Sequence, residues 1–203
     1  KIGTTGTLQE TKTHKLQLEG MFGPAYFVTT SADLMAEGTL AQLSIKCLVL
    51  DYCEKERKLV NKMSYQEEMD WIVRNETRNK FINNLVKDLK GNTLVLFQFV
   101  EKHGRPLFDM INKLDRKVFF VFGGTDAVDR EKVRIRNLQS IGRGLRKADD
   151  KKEVVLYDIA DDLSWKKNLN YTLNHFSERI NIYSTENFNY EIHSVRIPEN
   201  EPT

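Results

Sequence analysis

The chain has 203 residues, 40% of them hydrophobic and 30% charged, with a formal net charge of +2. That length allows one large or two small domains, the composition excludes a disordered chain, and so small a net charge leaves only local clusters to argue for nucleic acid. No apolar run approaches the roughly 20 residues a membrane span needs, no signal-peptide pattern opens the chain, and Cys47 and Cys53, the only cysteines, lack zinc spacing, so the expectation is a protein of a reducing cytoplasm.

In chain order, Lys1–Leu8 reads as a strand end running into a loop, or as a frayed terminus. Leu16–Phe22 is predicted helical and Gly23-Pro24 breaks it. Ala25–Thr30 is β-rich. Ser31 is the predicted cap of a short helix, Ala32–Glu37, stopped by Gly38. Leu43–Leu50 turns continuously apolar, as buried strands do, and a domain boundary is placed before it near Leu40. The charged run Asp51–Lys62 reads as solvated surface. Ser64 and Glu67 form a capping-box pattern ahead of Tyr65–Lys90, one long helix or two in tandem. Its apolar positions include Met69, Ile72, Val73, Phe81, Ile82, Leu85, Val86 and Leu89, and Trp71 and Phe81 are read as core.

Thr93–Val100 predicts a second buried strand. His103–Pro106 predicts a turn into a helix over Leu107–Leu114, and Lys117–Phe122 a third strand. Gly123-Gly124-Thr125-Asp126 ends that strand and caps a helix into Arg130–Arg134. Glu153–Asp158 is a further strand. The acids Asp158, Asp161 and Asp162 read as a helix N-terminal turn, where acids favour the dipole, with a Mg²⁺ site as the alternative. Leu163–Ser184 predicts an amphipathic helix with Leu169, Leu173, Phe176, Ile180 and Tyr183 on one side. Asn189–Val195 alternates like an edge strand. Strands alternating with helices predict an α/β fold with a parallel sheet, whose ligands bind beyond the carboxyl ends of the strands. Gln98, Phe99, Gly123 and Gly124 are placed there.

The chemistry centres on Gln139-Ser140-Ile141-Gly142-Arg143-Gly144-Leu145-Arg146-Lys147. Arg143 and Arg146 are three apart and share a helix face, Gly142 leaves the backbone open to close approach, and arginine's planar fork suits phosphate. An arbitrary Arg-x-x-Arg is more often a solvated basic face. The chain contains no G-x-x-x-x-G-K-[ST] phosphate loop, no Asp-Glu-x-His or Asp-Glu-Ala-Asp run and no G-x-S-x-G elbow, so the expectation is that it does not hydrolyse ATP by itself.

Q-x-x-G-R-x-x-R followed by the Glu153–Asp158 run resembles motif VI of superfamily 2 helicases. Thr5-Gly6-Thr7 resembles motif III of that family, and the Gln98-Phe99 and Gly123-Gly124 regions resemble motifs IV and IVa. Gly20–Gly23, Thr29–Ser31, Tyr65–Glu68, Asp161-Asp162, Asn170-Tyr171, Arg179-Ile180 and Phe188–Tyr190 resemble a phage recombination-repair helicase of the superfamily, so the likeness runs along nearly the whole chain. The resemblance implies that residues 1–40 end a first RecA-like lobe with its linker, and that 41–203 form the second RecA-like helicase lobe, a parallel sheet flanked by helices. It implies ATP contacted by Gln139, Gly142, Arg143 and Arg146, with Arg143 and Arg146 catalytic. Mg²⁺ would be bound mainly by a first lobe. Thr5, Gly6 and Thr7 would couple the lobes, and Gln98, Phe99, Gly123 and Gly124 would touch nucleic-acid backbone. The implied partners are branched or single-stranded DNA and RNA–DNA hybrids, in the host cytoplasm if the gene is a phage's. Between the third strand and motif VI the family has a further strand, motif V and another strand, and these have no counterpart here: either half of the second sheet is lost or a segment is omitted, with the break expected between Lys132 and Arg136, at 134–135. Two other readings stay open: a non-catalytic nucleic-acid-binding module of similar fold, and a nucleotide-sensing domain that regulates a partner.

Overall fold

The structure, a computed structural model, describes residues 2–3, 12–26, 28–115, 117–118, 120 and 153–199. The elements are α1 (Lys12–Phe22), α2 (Ser31–Ala36), β1 (Gln42–Asp51), α3 (Glu54–Val60), α4 (Tyr65–Arg74), α5 (Glu76–Asp88), a π-helical turn (Val100–Gly104), α6 (Arg105–Ile111), β2 (Glu153–Asp162), α7 (Tyr171–Thr185) and β3 (Asn189–Arg196). The chain divides into two compact units. One takes in Lys1–Ile45, Ala127–Leu156 and Ile182–Asn189; the other takes in Lys46–Asp126, Tyr157–Asn181 and Tyr190–Thr203.

The described strands form a three-stranded sheet in the order β2-β1-β3. Its strands are parallel. At the carboxyl end of β1 the Ile197 N–H, just past β3, donates to the Asp51 carbonyl, and Tyr52 meets Asp161 at the carboxyl end of β2. Helices flank the sheet, so the α/β class expected from alternating strand and helix patterns is the one observed.

In the first unit, Thr30 rather than Ser31 caps α2. Its Oγ1 accepts from the Asp33 N–H at 3.0 Å and its own N–H donates to the Asp33 carboxylate at 3.1 Å. Gly38, at φ +73, ends the turn in the left-handed region that glycine adopts freely. The described residues of 25–30 form no strand, because Thr30 is committed to this cap and Tyr26 and Val28 are exposed.

In the second unit, Leu50, Tyr52, Val60, Ile72, Leu163 and Ile197 form one buried cluster, with Met63, Trp71, Phe81, Ile159 and Val195 packed against it. A second cluster joins Ile82 and Val86 of α5 to Leu107 and Ile111 of α6. Burying apolar area of this kind contributes roughly 25 cal/mol per Å². Asp51–Lys62, read from sequence as solvated surface, instead carries α3, with Tyr52, Glu56 and Val60 buried. Its charges alternate with core positions, and a charge count hides that pattern. Tyr65–Lys90 resolves into two helices. Asn75 separates them and caps the second by accepting from the Arg78 N–H at 2.9 Å. Glu67 accepts from the Ser64 N–H at 2.8 Å, as the capping-box pattern requires.

Several predicted elements are corrected. Thr93–Val100 is not a strand of the sheet. Val95 and Phe97 are half-buried while Leu94 and Leu96 are exposed, so the alternation of a strand is present without the paired backbone that makes a ladder. Among 117, 118 and 120, the described residues of the predicted third strand, none lies in a strand, and the rest of Lys117–Phe122 lies outside the described residues. His103–Pro106 is helical rather than a turn, because the π-helical turn runs straight into α6. The acidic run Asp158–Asp162 continues β2 and is not a helix start. The following helix begins at Tyr171, leaving Leu169 exposed in the connecting loop. Gly123–Asp126, the helix into Arg130–Arg134 and the point near 134–135 lie outside the described residues.

Asn170 locks that loop to the core. Its Oδ1 accepts from the Leu163 N–H, and its Nδ2 donates to Glu68, to the Asp161 carbonyl and to Thr172. Asn170→Ala leaves these buried groups short of partners. It is expected to cost about 2–3 kcal/mol, read as a lower urea midpoint with unchanged slope.

Candidate functional site

Ligands of open parallel sheets sit beyond the carboxyl ends of the strands. In this chain that end of the second unit is built around a buried polar cluster. Asp161, on the core face of β2, is 3% exposed, and Arg78 of α5 is 8% exposed. The Arg78 Nε donates to Asp161 Oδ1 at 2.8 Å, and the Tyr52 hydroxyl donates to the same oxygen at 2.6 Å. Asp51 accepts from Arg57 and Arg196, and Asp158 pairs with Arg179 at 2.8 Å. The carboxylates at this end are therefore engaged by the protein's own cations and hydroxyls. No group of three or more His, Cys, Asp or Glu able to hold a metal occurs among the described residues, and the Mg²⁺ alternative for Asp158, Asp161 and Asp162 is set aside because each already has a partner.

The cluster's protonation states follow from its burial. Burial, then the Asp161 charge, pushes the Tyr52 phenol far above its ordinary value, so it stays a donor. Burial works against the Arg78 charge, but Asp161's charge and hydrogen bond outweigh it, and Arg78 is held above its ordinary value. His103, in the π-helical turn, is pushed down to about 4 by burial and by the Arg78 charge, with Asp161 opposing. Its folded value lies below the ordinary 6.5. The neutral ring's contribution to stability is therefore complete above about pH 6.5 and is lost as the pH falls towards 4.

Gln98 and Phe99 enter this region just ahead of the π-helical turn. Gln98 is exposed and Phe99 half-buried. The Phe99 carbonyl accepts from the N–H groups of both His103 and Gly104, at 3.2 and 2.8 Å. Gly104 is required by close approach: a Cβ there would stand 2.6 Å from the Phe97 ring. That ring stacks on Phe120 at 5.3 Å, and Phe108 and Arg105 also meet Phe120. The backbone of 97–104 is thus held from both sides, with Gln98 presented outward. Thr5, Gly6, Thr7, Gly123, Gly124, Gln139, Gly142, Arg143 and Arg146 lie outside the described residues.

Sequence reasoning missed Tyr52, Arg78 and His103, and it read Asp161 as part of an acidic helix start rather than as a buried partner. The signal was present as ionisable residues on apolar stripes. Arg78 shares a helix face with Ile82 and Val86, and Asp161 shares a strand face with Ile159 and Leu163.

Removing one partner of a buried pair leaves an uncompensated charge, whereas removing both together is often near neutral. Asp161→Ala is therefore expected to cost roughly 3–5 kcal/mol in urea denaturation. The triple variant Asp161→Leu, Arg78→Met, Tyr52→Phe should recover most of that loss. A triple variant less stable than Asp161→Ala alone would contradict the description of the cluster.

No family model matches the chain. It is similar to the ATP-dependent DNA helicase uvsW of Enterobacteria phage T4, with 28% identity over 249 residues, taking in 97% of this chain and 49% of that protein. It is also similar to the crystal structure of T4 UvsW, with a TM-score of 0.61 and 27% identity, covering 89% of this chain and 45% of that one. The chain therefore spans about half the length of the relative it matches. Because 97% of 203 residues is about 197, roughly fifty of the 249 aligned positions face no residue of this chain. The chain is UvsW-like and helicase-related, and its parallel sheet flanked by helices is RecA-like α/β.

Proposed function

We propose that this UvsW-like chain is the second motor lobe of an ATP-dependent DNA helicase that remodels branched DNA and R-loops, by branch migration and fork regression, in recombination and repair. The observation that carries the reading is the Q-x-x-G-R-x-x-R run at 139–146 inside a chain that aligns with a DNA helicase over 97% of its length. Residues 1–40 end a first lobe and 41–203 make the second. The roughly fifty unmatched aligned positions are consistent with a family segment, including motif V, that has no counterpart near 134–135.

Arg143 and Arg146 reach across the cleft between lobes to the γ-phosphate of ATP, where such arginines contribute about 10³–10⁵ in rate by stabilising transition-state charge. Gln139 contacts the nucleotide, and Gly142 lets the helix backbone come close to it. The phosphate-cradling loop and the ligands of Mg²⁺ belong to the first lobe; the described residues of this chain offer that ion no cluster. Thr5-Gly6-Thr7 couples lobe closure to movement along the strand. Gln98-Phe99 and Gly123-Gly124 hold the nucleic-acid backbone through phosphate contacts indifferent to sequence.

In the complete enzyme, Arg143→Ala and Arg146→Ala are each expected to abolish DNA-stimulated ATP hydrolysis while leaving DNA affinity largely intact, because the lost contact is made in the transition state. Wild-type turnover in either variant would remove the assignment. Loss of DNA binding with unchanged turnover would instead favour a basic binding helix.

A further inference from the structure

Thr93–Val100 has the side-chain pattern of a strand and no strand beside it. Leu94 is 78% exposed and Leu96 58%, while Val95 packs against the α5–α6 cluster and Phe97 stacks on Phe120. The backbone of Asn92–Gln98 makes no backbone hydrogen bond among the described residues. Exposed strand edges are ordinarily blunted by a lysine, a proline or a bulge. Here no charged residue, proline or glycine interrupts Thr93–Val100. Such a row of unpaired N–H and C=O groups is a template for a further strand.

We infer that this segment pairs with the same segment of a second copy of the chain, antiparallel about a two-fold axis at Val95. Charge selects the direction. Antiparallel pairing brings the exposed Lys90 at one end of the segment towards the other copy's Glu101 at the opposite end, an acid whose side chain is 70% exposed. Parallel pairing in register would set Lys90 beside Lys90, and like charges across a ladder are destabilising. The exposed leucines select the register. A two-fold axis perpendicular to the ladder keeps even positions opposite even positions, so the exposed face of one copy continues that of the other. With the axis at Val95, Leu94 of each copy stands opposite Leu96 of the other, and such apolar cross-strand pairs stabilise a ladder. With the axis at Leu96, Leu94 would meet the exposed Gln98 amide instead. An isologous contact of this kind closes on itself and stops at two copies. One eight-residue strand spans only about 27 Å, a small contact beside the roughly 1,200–2,000 Å² of a stable complex. The dimer is therefore expected at roughly micromolar concentrations and above. The inference goes beyond the ATP-driven reading and does not depend on it.

The test is sedimentation velocity of the 203-residue chain from about 1 to about 100 µM, a range that brackets a weak contact. The average mass should climb from 23.7 kDa towards twice that value and no further. Leu96→Lys, at a side chain already 58% exposed, should abolish the rise without disturbing the core. Leu169→Lys, at a leucine 57% exposed elsewhere on the surface, should leave it intact. Disulfide trapping reads the register. Cα atoms directly opposite in an antiparallel pair lie about 4.5–5.5 Å apart, within disulfide reach. Leu94→Cys mixed with Leu96→Cys under a mild oxidant should therefore cross-link several-fold more than either variant alone. Cys47 is buried and Cys53 half-buried, and the unsubstituted chain gives the background. A chain that stays monomeric over the whole range, a species beyond two copies, a dimer that survives Leu96→Lys, or equal trapping in the unmixed variants overturns the inference.

Discussion

The second unit depends on one buried ion pair. Arg78 and Asp161 meet at 2.8 Å with less than a tenth of either residue exposed. Taking a guanidinium and a carboxylate out of water costs several kcal/mol per ion unless both are paired, so the helix that brings the arginine and the strand that brings the aspartate have little freedom to part. Tyr52 fixes the end of β1 to the same oxygen. Three segments distant in the chain are thereby brought to one point at the carboxyl end of the sheet, and His103 brings the π-helical turn into the field of the same pair.

That convergence has a functional consequence. The carboxyl end of a parallel sheet is where an α/β protein meets its ligands, and the turn held there carries Gln98-Phe99. A turn with Phe99 as double acceptor, Gly104 pressed by Phe97 and His103 kept neutral is more rigid than a surface loop and presents its polar edge in one orientation. The buried charges hold in place the turn that carries Gln98 and Phe99.

The sequence made some of this legible and hid the rest, for physical reasons. β1 showed as a strand turning apolar towards its end because it is the central strand of the described sheet, with Leu43, Ile45, Cys47 and Leu50 buried. β3 showed as an alternation because it is an edge. The α4–α5 break lay in Asn75, a cap that looks like any exposed asparagine until its partner at Arg78 is seen. Thr93–Val100 had the composition of a strand, but composition reports side-chain burial and says nothing about which backbone is available to pair. The acids of β2 misled most. Asp161 lies on the strand's core face, where an acid is tolerated only because Arg78, from α5, arrives opposite it. No local pattern records such a pairing across 83 positions. The arginine pair at 143 and 146 lies outside the described residues, and its reading rests on the motif alone.

His103 reports on this arrangement most directly. A nuclear magnetic resonance titration of its ring in the folded protein should give a midpoint at about 4, because burial and the neighbouring Arg78 both disfavour the proton. A midpoint near the ordinary 6.5 would mean that the ring is solvated and away from Arg78. In that case the buried pair would not organise the carboxyl end of the sheet.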